Sequence, residues 1–241
     1  MAGRYTTRFA ETQADIKSAQ RLRFKTFRGA GEGFDADPFD PVYKHILVED
    51  STSGHLVCTF RLLPLANGSD IDRSYSAQFY DLDCLYKIEG MIVEMGRFCI
   101  DPAHTHPHIL RAAWSAIAEF VDDNDVELLF GCSSFSGTNS DEYTDAFALL
   151  KERHLAPQDL LPKIKAPEVF HFANTLESFE PNLKAAQKRM PPLLRTYLLM
   201  GGWVSDHAVV DNEMNTLHVF TGMEIESIPA NRKRFLRAIA G

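Results

Sequence analysis

The residues best suited to chemistry lie in one predicted strand, which reads IVEMGRFCIDP over residues 92–102. Most of this run is apolar or β-prone, and the Asp-Pro pair at its end is a turn signal. Glu94 and Arg97 interrupt the run three positions apart. Burying either charge is costly unless the charge is paired or used, so the two residues are candidates for a functional site. The alternative is a structural ion pair that holds the sheet to a neighbouring element.

Gly96 lies between the two charges, where a β-bulge would form most easily. Strict alternation along a strand places Glu94 and Arg97 on opposite faces. A bulge would bring both side chains to one face and would leave nearby backbone N–H groups without ladder partners.

The elements before this strand carry further charged candidates. Residues 12–28 have helical periodicity, with Thr12 and Asp15 spaced as in a capping box. Residues 29–42 are rich in Gly, Asp and Pro and predict a loop. Its aspartates suggest a calcium loop, but the glycine and the distal glutamate of an EF-hand are misplaced. The aspartates are Asp35, Asp37 and Asp40.

Two strands are predicted next, Lys44–Glu49 and Leu56–Leu65, joined as a hairpin. Arg61 interrupts the second strand and either extends its charged end to solvent or reaches into a site. The later elements alternate between helix and strand, with helices over 107–122 and 140–153, a strand over 126–130, and a short helix and two strands over 191–222. This order predicts one α/β domain over residues 1–241, with a mixed central sheet flanked by helices on both faces.

The composition excludes several classes of protein. The chain has 241 residues with a net charge of −8, which disfavours binding of nucleic acid. No apolar run approaches the ~20 residues needed to span a bilayer. The N-terminus has no apolar segment typical of a secretion signal, and the four cysteines form no CxxC pair. We therefore expect a cytoplasmic protein with reduced thiols. The pattern GxSxG of serine hydrolases does not fit around Ser133.

The sequence resembles a known family in several ordered strings. The strings RLRFKTF (21–27), FRLL (60–63) and EMGRF (94–98), with the acidic loop between the first two, resemble acyl-homoserine-lactone synthases and the related ornithine N-acyltransferases of bacterial ornithine lipid synthesis. Both groups resemble the GNAT N-acyltransferase fold. Three later strings are similar to the ornithine group specifically: LFGCSSFSGT (129–138), PPLLRTYLLMG (191–201) and VDNEMNT (210–216).

The resemblance implies transfer of a fatty acyl group, often 3-hydroxylated, from acyl carrier protein to the α-amine of L-ornithine, giving lyso-ornithine lipid. Glu94 would be the general base, and N–H groups near Gly96 and Phe98 would stabilise the oxyanion. Arg97 or Arg61 would hold the carboxylate of ornithine. The full substrate-binding set is Arg23, Asp37, Asp40, Arg61 and Arg97. Asp37 or Asp40 would hold the distal ammonium, and the motif of Tyr197 makes it a candidate acid.

The loop after the central strand departs from the usual GNAT pattern. Residues 101–108 read DPAHTHPH, without the glycines that let backbone N–H groups cradle the diphosphate of coenzyme A. This favours the phosphopantetheine arm of acyl carrier protein as the donor, with no tightly bound cofactor. The alternating histidines His104, His106 and His108 lack the Cys or carboxylate partners of a tetrahedral zinc site, so we predict no metal.

Two basic segments are candidates for docking the acidic carrier protein. They are the first predicted helix, with Arg21, Arg23, Lys25 and Arg28, and the segment Lys184–Arg195. A basic amphipathic helix predicted over 231–239 leaves open a peripheral contact with the inner membrane. The competing functions are an acyl-homoserine-lactone synthase and a non-catalytic module that binds acyl chains or carrier protein.

Overall fold

A computed structural model describes residues 3–29, 31–104 and 106–229, so the helix predicted over 231–239 lies outside the described residues. The chain divides into two compact units. The first contains the described parts of Met1–Pro64 and Met95–Val126, and the second contains Leu65–Glu94 and Glu127–Pro229. The prediction of a single domain over 1–241 stays a prediction.

The first unit carries four neighbouring strands, the first three of them antiparallel, and two helices. Its strands are β1 (Tyr5–Phe9), β2 (Lys44–Asp50), β3 (Leu56–Leu65) and the second part of β5 (Ile92–Ile100), in that order across the sheet. Strand β4 (Tyr80–Asp81) is a short element of the second unit. Helix α1 (Gln13–Phe27) contacts β2, and helix α2 (Pro107–Asp123) packs against β1 and β2. The predicted hairpin and both predicted helices are confirmed.

Local sequence signals set the starts of these helices. Thr12 accepts a hydrogen bond from the backbone N–H of Asp15, and the Asp15 carboxylate accepts one from the N–H of Thr12. This capping box satisfies N–H groups that have no partner inside α1. Helix α2 begins with Pro107, which lacks an N–H and suits the first helical position.

In the second unit, the start of β5 pairs in parallel with β6 (Leu128–Ser136), and β6 pairs antiparallel with β11 (Thr216–Glu224). Strand β11 then pairs with β10 (Ala208–Asp211) and β9 (Trp203–Val204), and β10 pairs with β8 (Val169–Phe170). Parallel and antiparallel pairing together confirm the predicted α/β class with a mixed sheet. The two-residue strands β4 (Tyr80–Asp81) and β7 (Lys163–Ile164) form a separate pair.

Two sequence predictions fail in this unit. The strand predicted to end at Phe130 continues to Ser136, because β11 pairs with it along that whole length. Between Pro191 and residue 229, where the description ends, three strands are present in place of the two predicted. The helices here are α3 (Thr144–Arg153), α4 (Phe172–Thr175), α5 (Leu183–Arg189) and α6 (Pro192–Leu199). Their apolar faces share a core with β6 and β11 that includes Phe135, Phe147, Phe172 and Leu217.

Candidate active site

Glu94 lies on β5 with 1% of its surface exposed, and its carboxylate is hydrogen-bonded on both oxygens. Oε2 accepts from the backbone N–H of Tyr75 at 2.8 Å. Oε1 accepts from the N–H of Ser76 at 2.7 Å and from the Ser76 hydroxyl. Tyr75 precedes a 3₁₀ turn over Ser76–Gln78, whose first N–H groups have no partners within the turn. The carboxylate therefore caps this turn, and the turn fixes the position of the carboxylate.

Two further groups of the second unit surround this acid. The Ser76 hydroxyl also lies 3.4 Å from the Cys132 sulfur on β6. Tyr197 on α6 is buried, and burial followed by the negative charge of Glu94 raises its pKa well above the usual value. The Tyr197 phenol therefore stays protonated, and the same shift makes it a weaker acid.

In the first unit, three arginines and three aspartates form one ion-pair network, which we call the Arg–Asp network. The arginines come from α1, β3 and β5, and the aspartates come from the loop after α1. Its members are Arg23, Arg61, Arg97, Asp35, Asp37 and Asp40. The predicted substrate-binding residues are thus brought together, and Asp35 is added to them.

Arg23 is the most enclosed cation of the Arg–Asp network, with 1% of its surface exposed. Its Nε donates to Asp35 Oδ2 at 3.0 Å, and its two terminal nitrogens donate to the two oxygens of Asp40 at 2.7 and 2.9 Å. This burial contradicts the prediction that Arg23 helps to dock carrier protein, because it offers no charged surface. Arg21, Lys25 and Arg28 of the same segment are exposed.

Arg61 holds Asp37 with two parallel hydrogen bonds, of 2.7 and 2.8 Å, and donates a third bond of 2.6 Å to Asp40. Its guanidinium carbon lies 4.5 Å from the centroid of the Tyr43 ring, a cation–π distance. Such two-pronged pairing fixes the orientation of both groups. Only 2% of the Arg61 side chain is exposed, so its charged end does not extend to solvent.

Arg97 completes the Arg–Asp network from a strained backbone position. Its φ of +53° lies in the left-handed region, which non-glycine residues seldom adopt and which is often found at functional sites. Its Nη2 lies 3.1 Å from Asp37 Oδ2, and its Nε lies 3.3 Å from Asp35 Oδ2. The side chains of Arg97 and Asp37 are each 14% exposed, so they form the accessible edge of the network.

The Arg–Asp network keeps the carboxylates of Asp37 and Asp40 ionised. Burial by itself would raise the pKa of Asp40, but the hydrogen bonds and charge of Arg23 outweigh it and bring that pKa well below the usual value. Burial would also raise the pKa of Asp37, but the hydrogen bonds and charge of Arg61 and the charge of Arg97 outweigh it and lower that pKa. Burial lowers the pKa of His45, whose Nε2 donates one hydrogen bond to the Asp40 carbonyl oxygen.

The remaining predicted catalytic residues follow Glu94 on β5. The register of β5 with β6 covers Ile92–Glu94, and the left-handed Arg97 interrupts regular strand conformation next to Gly96. Phe98 stacks on Phe60 of β3, with ring centroids 5.4 Å apart. Sequence reasoning missed Ser76 as a partner of Glu94, and a serine in an irregular polar segment gives no signal for that contact.

Comparison of the chain with a known family and with a solved structure first gives the class of protein. Residues 22–115 match the family described as the Acetyltransferase (GNAT) domain. The solved structure of FeeM, an N-acyl amino acid synthase from uncultured soil microbes, covers 93% of this chain and 94% of its own, with a TM-score of 0.53 and 11% identity. That likeness concerns the fold. The fold and the family match define an acyltransferase of the GNAT type, as predicted.

Two curated relatives narrow the class further. The L-ornithine N(alpha)-acyltransferase of Rhodobacter capsulatus is 32% identical over 96% of this chain and 94% of its own. The enzyme of that name from Brucella abortus is 29% identical over 94% of this chain and 86% of its own. The chain therefore belongs to the L-ornithine N(alpha)-acyltransferase family, which confirms the resemblance seen in the sequence strings. None of the helices in the described residues is long and apolar enough to cross a bilayer.

Proposed function

We propose that the protein transfers a 3-hydroxy fatty acyl group from acyl carrier protein to the α-amine of L-ornithine, giving lyso-ornithine lipid. The observation that carries the proposal is the buried carboxylate of Glu94, fixed on β5 in a chain that belongs to this family along nearly its full length. A buried, fixed carboxylate suits the removal of a proton from an ammonium group.

The chemical step balances with the groups at hand. Glu94 takes a proton from the α-ammonium of ornithine, directly or through water. The freed amine nitrogen attacks the thioester carbonyl carbon, and the new C–N bond forms a tetrahedral oxyanion. Backbone N–H groups at Gly96 and Phe98 stabilise that oxygen. The C–S bond then breaks, and the leaving thiolate takes a proton from Tyr197, the candidate donor. The nitrogen loses its second proton through water to the tyrosinate so formed, and Glu94 releases its proton to bulk water.

The side chains of the Arg–Asp network differ in how far they are exposed to solvent, and we assign their roles on that basis. Arg97 and Asp37, at its accessible edge, bind the carboxylate and the distal ammonium of ornithine in this proposal. Arg23, Arg61 and Asp40 are enclosed and already paired, which favours a positioning role for them over direct contact with substrate. Direct binding by these three residues stays a prediction.

The acyl donor is tested with purified protein, L-ornithine and the same 3-hydroxyacyl group carried on either acyl carrier protein or coenzyme A. We expect release of free thiol and of Nα-acyl-ornithine, with kcat/KM at least tenfold higher for the carrier protein. Equal or better use of the coenzyme A thioester would contradict the donor assignment. Lactone formation with S-adenosylmethionine would identify a homoserine-lactone synthase, and no thiol release with any amine would identify a binding module.

The acceptor site is tested with Arg97→Ala. Loss of a charge-assisted hydrogen bond removes about 1.5–3 kcal/mol of binding, so the KM for ornithine should rise at least tenfold. The KM for the acyl donor should change less than threefold. Arg8→Ala is the matched control, because Arg8 also pairs with two carboxylates but lies on an exposed surface. A larger effect on the donor KM than on the ornithine KM would remove Arg97 from the acceptor site.

A further inference from the structure

Three side chains of the first unit converge away from the Arg–Asp network. They are His55 at the end of the β2–β3 turn, Asp101 directly after β5, and His104 in the loop before α2. One ligand atom from each lies within 4.8 Å of the other two. They are the one group of three or more potential metal ligands found among the described residues.

The two carboxylate oxygens of Asp101 have different partners. Oδ1 accepts from Lys25 Nζ at 2.7 Å and from the backbone N–H of Ala103 at 2.9 Å. Oδ2 faces the two imidazoles, 3.1 Å from His55 Nε2 and 3.5 Å from His104 Nδ1. Asp101 is itself buried at 2% exposure, so these contacts hold it in one orientation.

His104 supplies an independent observation that points to a ligand. Its Nδ1 atom is buried and has no hydrogen-bond partner among the described residues. A buried nitrogen without a partner costs free energy, and such an atom calls for an explanation. A cation between the two rings and Asp101 Oδ2 would give that nitrogen a partner.

Two of the three separations fit zinc, and the third, between the His55 and His104 ligand atoms, is within 4.8 Å. Zinc binds imidazole nitrogen and carboxylate oxygen at about 2.0–2.1 Å in a tetrahedron, so neighbouring ligand atoms lie about 3.3 Å apart. The two separations from Asp101 Oδ2, 3.1 and 3.5 Å, bracket that value. The His55 side chain is about half exposed, so its ring has room to adjust.

We propose that His55, Asp101 and His104 bind a zinc ion, with water in the fourth position, and that this ion joins the β2–β3 turn to the loop before α2. This proposal departs from the sequence prediction of no metal, which considered His104 with His106 and His108. His55 lies 46 residues before Asp101 and was outside that pattern. The zinc site is independent of the proposed acyl transfer.

The test uses the full-length protein without an affinity tag. After treatment with a chelator, the protein is titrated with zinc in competition with a chromophoric chelator, and with cobalt followed by visible absorption. We expect one zinc per chain, and the strong visible bands that tetrahedral cobalt gives. Thermal unfolding should shift to higher temperature on adding zinc.

Single ligand variants locate the site. His55→Ala and His104→Ala should each weaken zinc binding at least tenfold and remove the cobalt bands and the thermal shift. His108→Ala is the matched control, since His108 is an exposed histidine of the same segment outside the cluster, and it should bind zinc like the wild type. Unchanged binding in both ligand variants, or no binding by the wild-type protein, would overturn the proposal.

Discussion

Glu94→Gln should lower kcat for acyl transfer by about 10²–10⁴-fold, the usual contribution of a positioned general base. Glutamine has nearly the shape of glutamate but cannot take a proton from the ammonium of the acceptor. Donor binding should persist, because the substitution removes no apolar contact. The measurement is steady-state kinetics with 3-hydroxyacyl carrier protein and ornithine, alongside direct binding of the carrier protein.

The contacts of Glu94 also predict a cost in stability for this variant. The carboxylate accepts from Tyr75 and Ser76 on both oxygens, whereas an amide accepts on one side and donates on the other. One donor of the 3₁₀ turn therefore loses its acceptor, at a cost of about 1–3 kcal/mol. Activity must be compared at a temperature where circular dichroism and denaturant unfolding show the variant to be folded.

Ser76→Ala separates a catalytic role of Glu94 from a structural one. It removes one donor to Glu94 but keeps the carboxylate and both backbone N–H groups. If Glu94 is the base, Ser76→Ala retains activity within about tenfold while Glu94→Gln does not. If Glu94 serves only to cap the turn, the two variants lose activity in proportion to their loss of stability. Folded Glu94→Gln with near-normal turnover would exclude Glu94 as the base.

The parts of the fold that local sequence determines were predictable. The capping box of Thr12 and Asp15, Pro107 at the start of α2, and the hairpin of β2 and β3 each depend on residues close in the chain. The full length of β6 was not predictable from local sequence. Its second half is rich in serine and is held by pairing with β11, about 80 residues later.

The members of the candidate site were predictable, but their partners were not. A charge inside an apolar strand is visible in a sequence, and this identified Glu94, Arg61 and Arg97. The pairing of those arginines with one loop depends on tertiary structure. The contact of Glu94 with its 3₁₀ turn and the convergence of His55 with Asp101 also depend on tertiary structure, since neither has a local sequence signal.

Arg23→Ala should destabilise the protein by about 3–5 kcal/mol, because it removes one partner of a buried ion-pair network. Arg23 makes three hydrogen bonds to the carboxylates of Asp35 and Asp40 and is itself buried. A loss of this size is a large fraction of the roughly 5–15 kcal/mol that keeps a typical domain folded. The measurement is urea unfolding of the full chain followed by circular dichroism.

Arg21→Ala is the matched control on the same helix. Arg21 is exposed and lies 5.0 Å from the centroid of the Phe34 ring, so its removal should cost about 0.5–1 kcal/mol.

Arg23→Met combined with Asp40→Asn should cost less than the sum of the two single substitutions, because the double variant removes both charges of one buried pair. If the costs in unfolding free energy are additive, Arg23 and Asp40 do not depend on each other. If Arg23→Ala alone has a small effect, the remaining arginines neutralise the aspartates of the loop without Arg23. The sign of the coupling therefore decides whether Arg23 and Asp40 stabilise the protein as one buried ion pair.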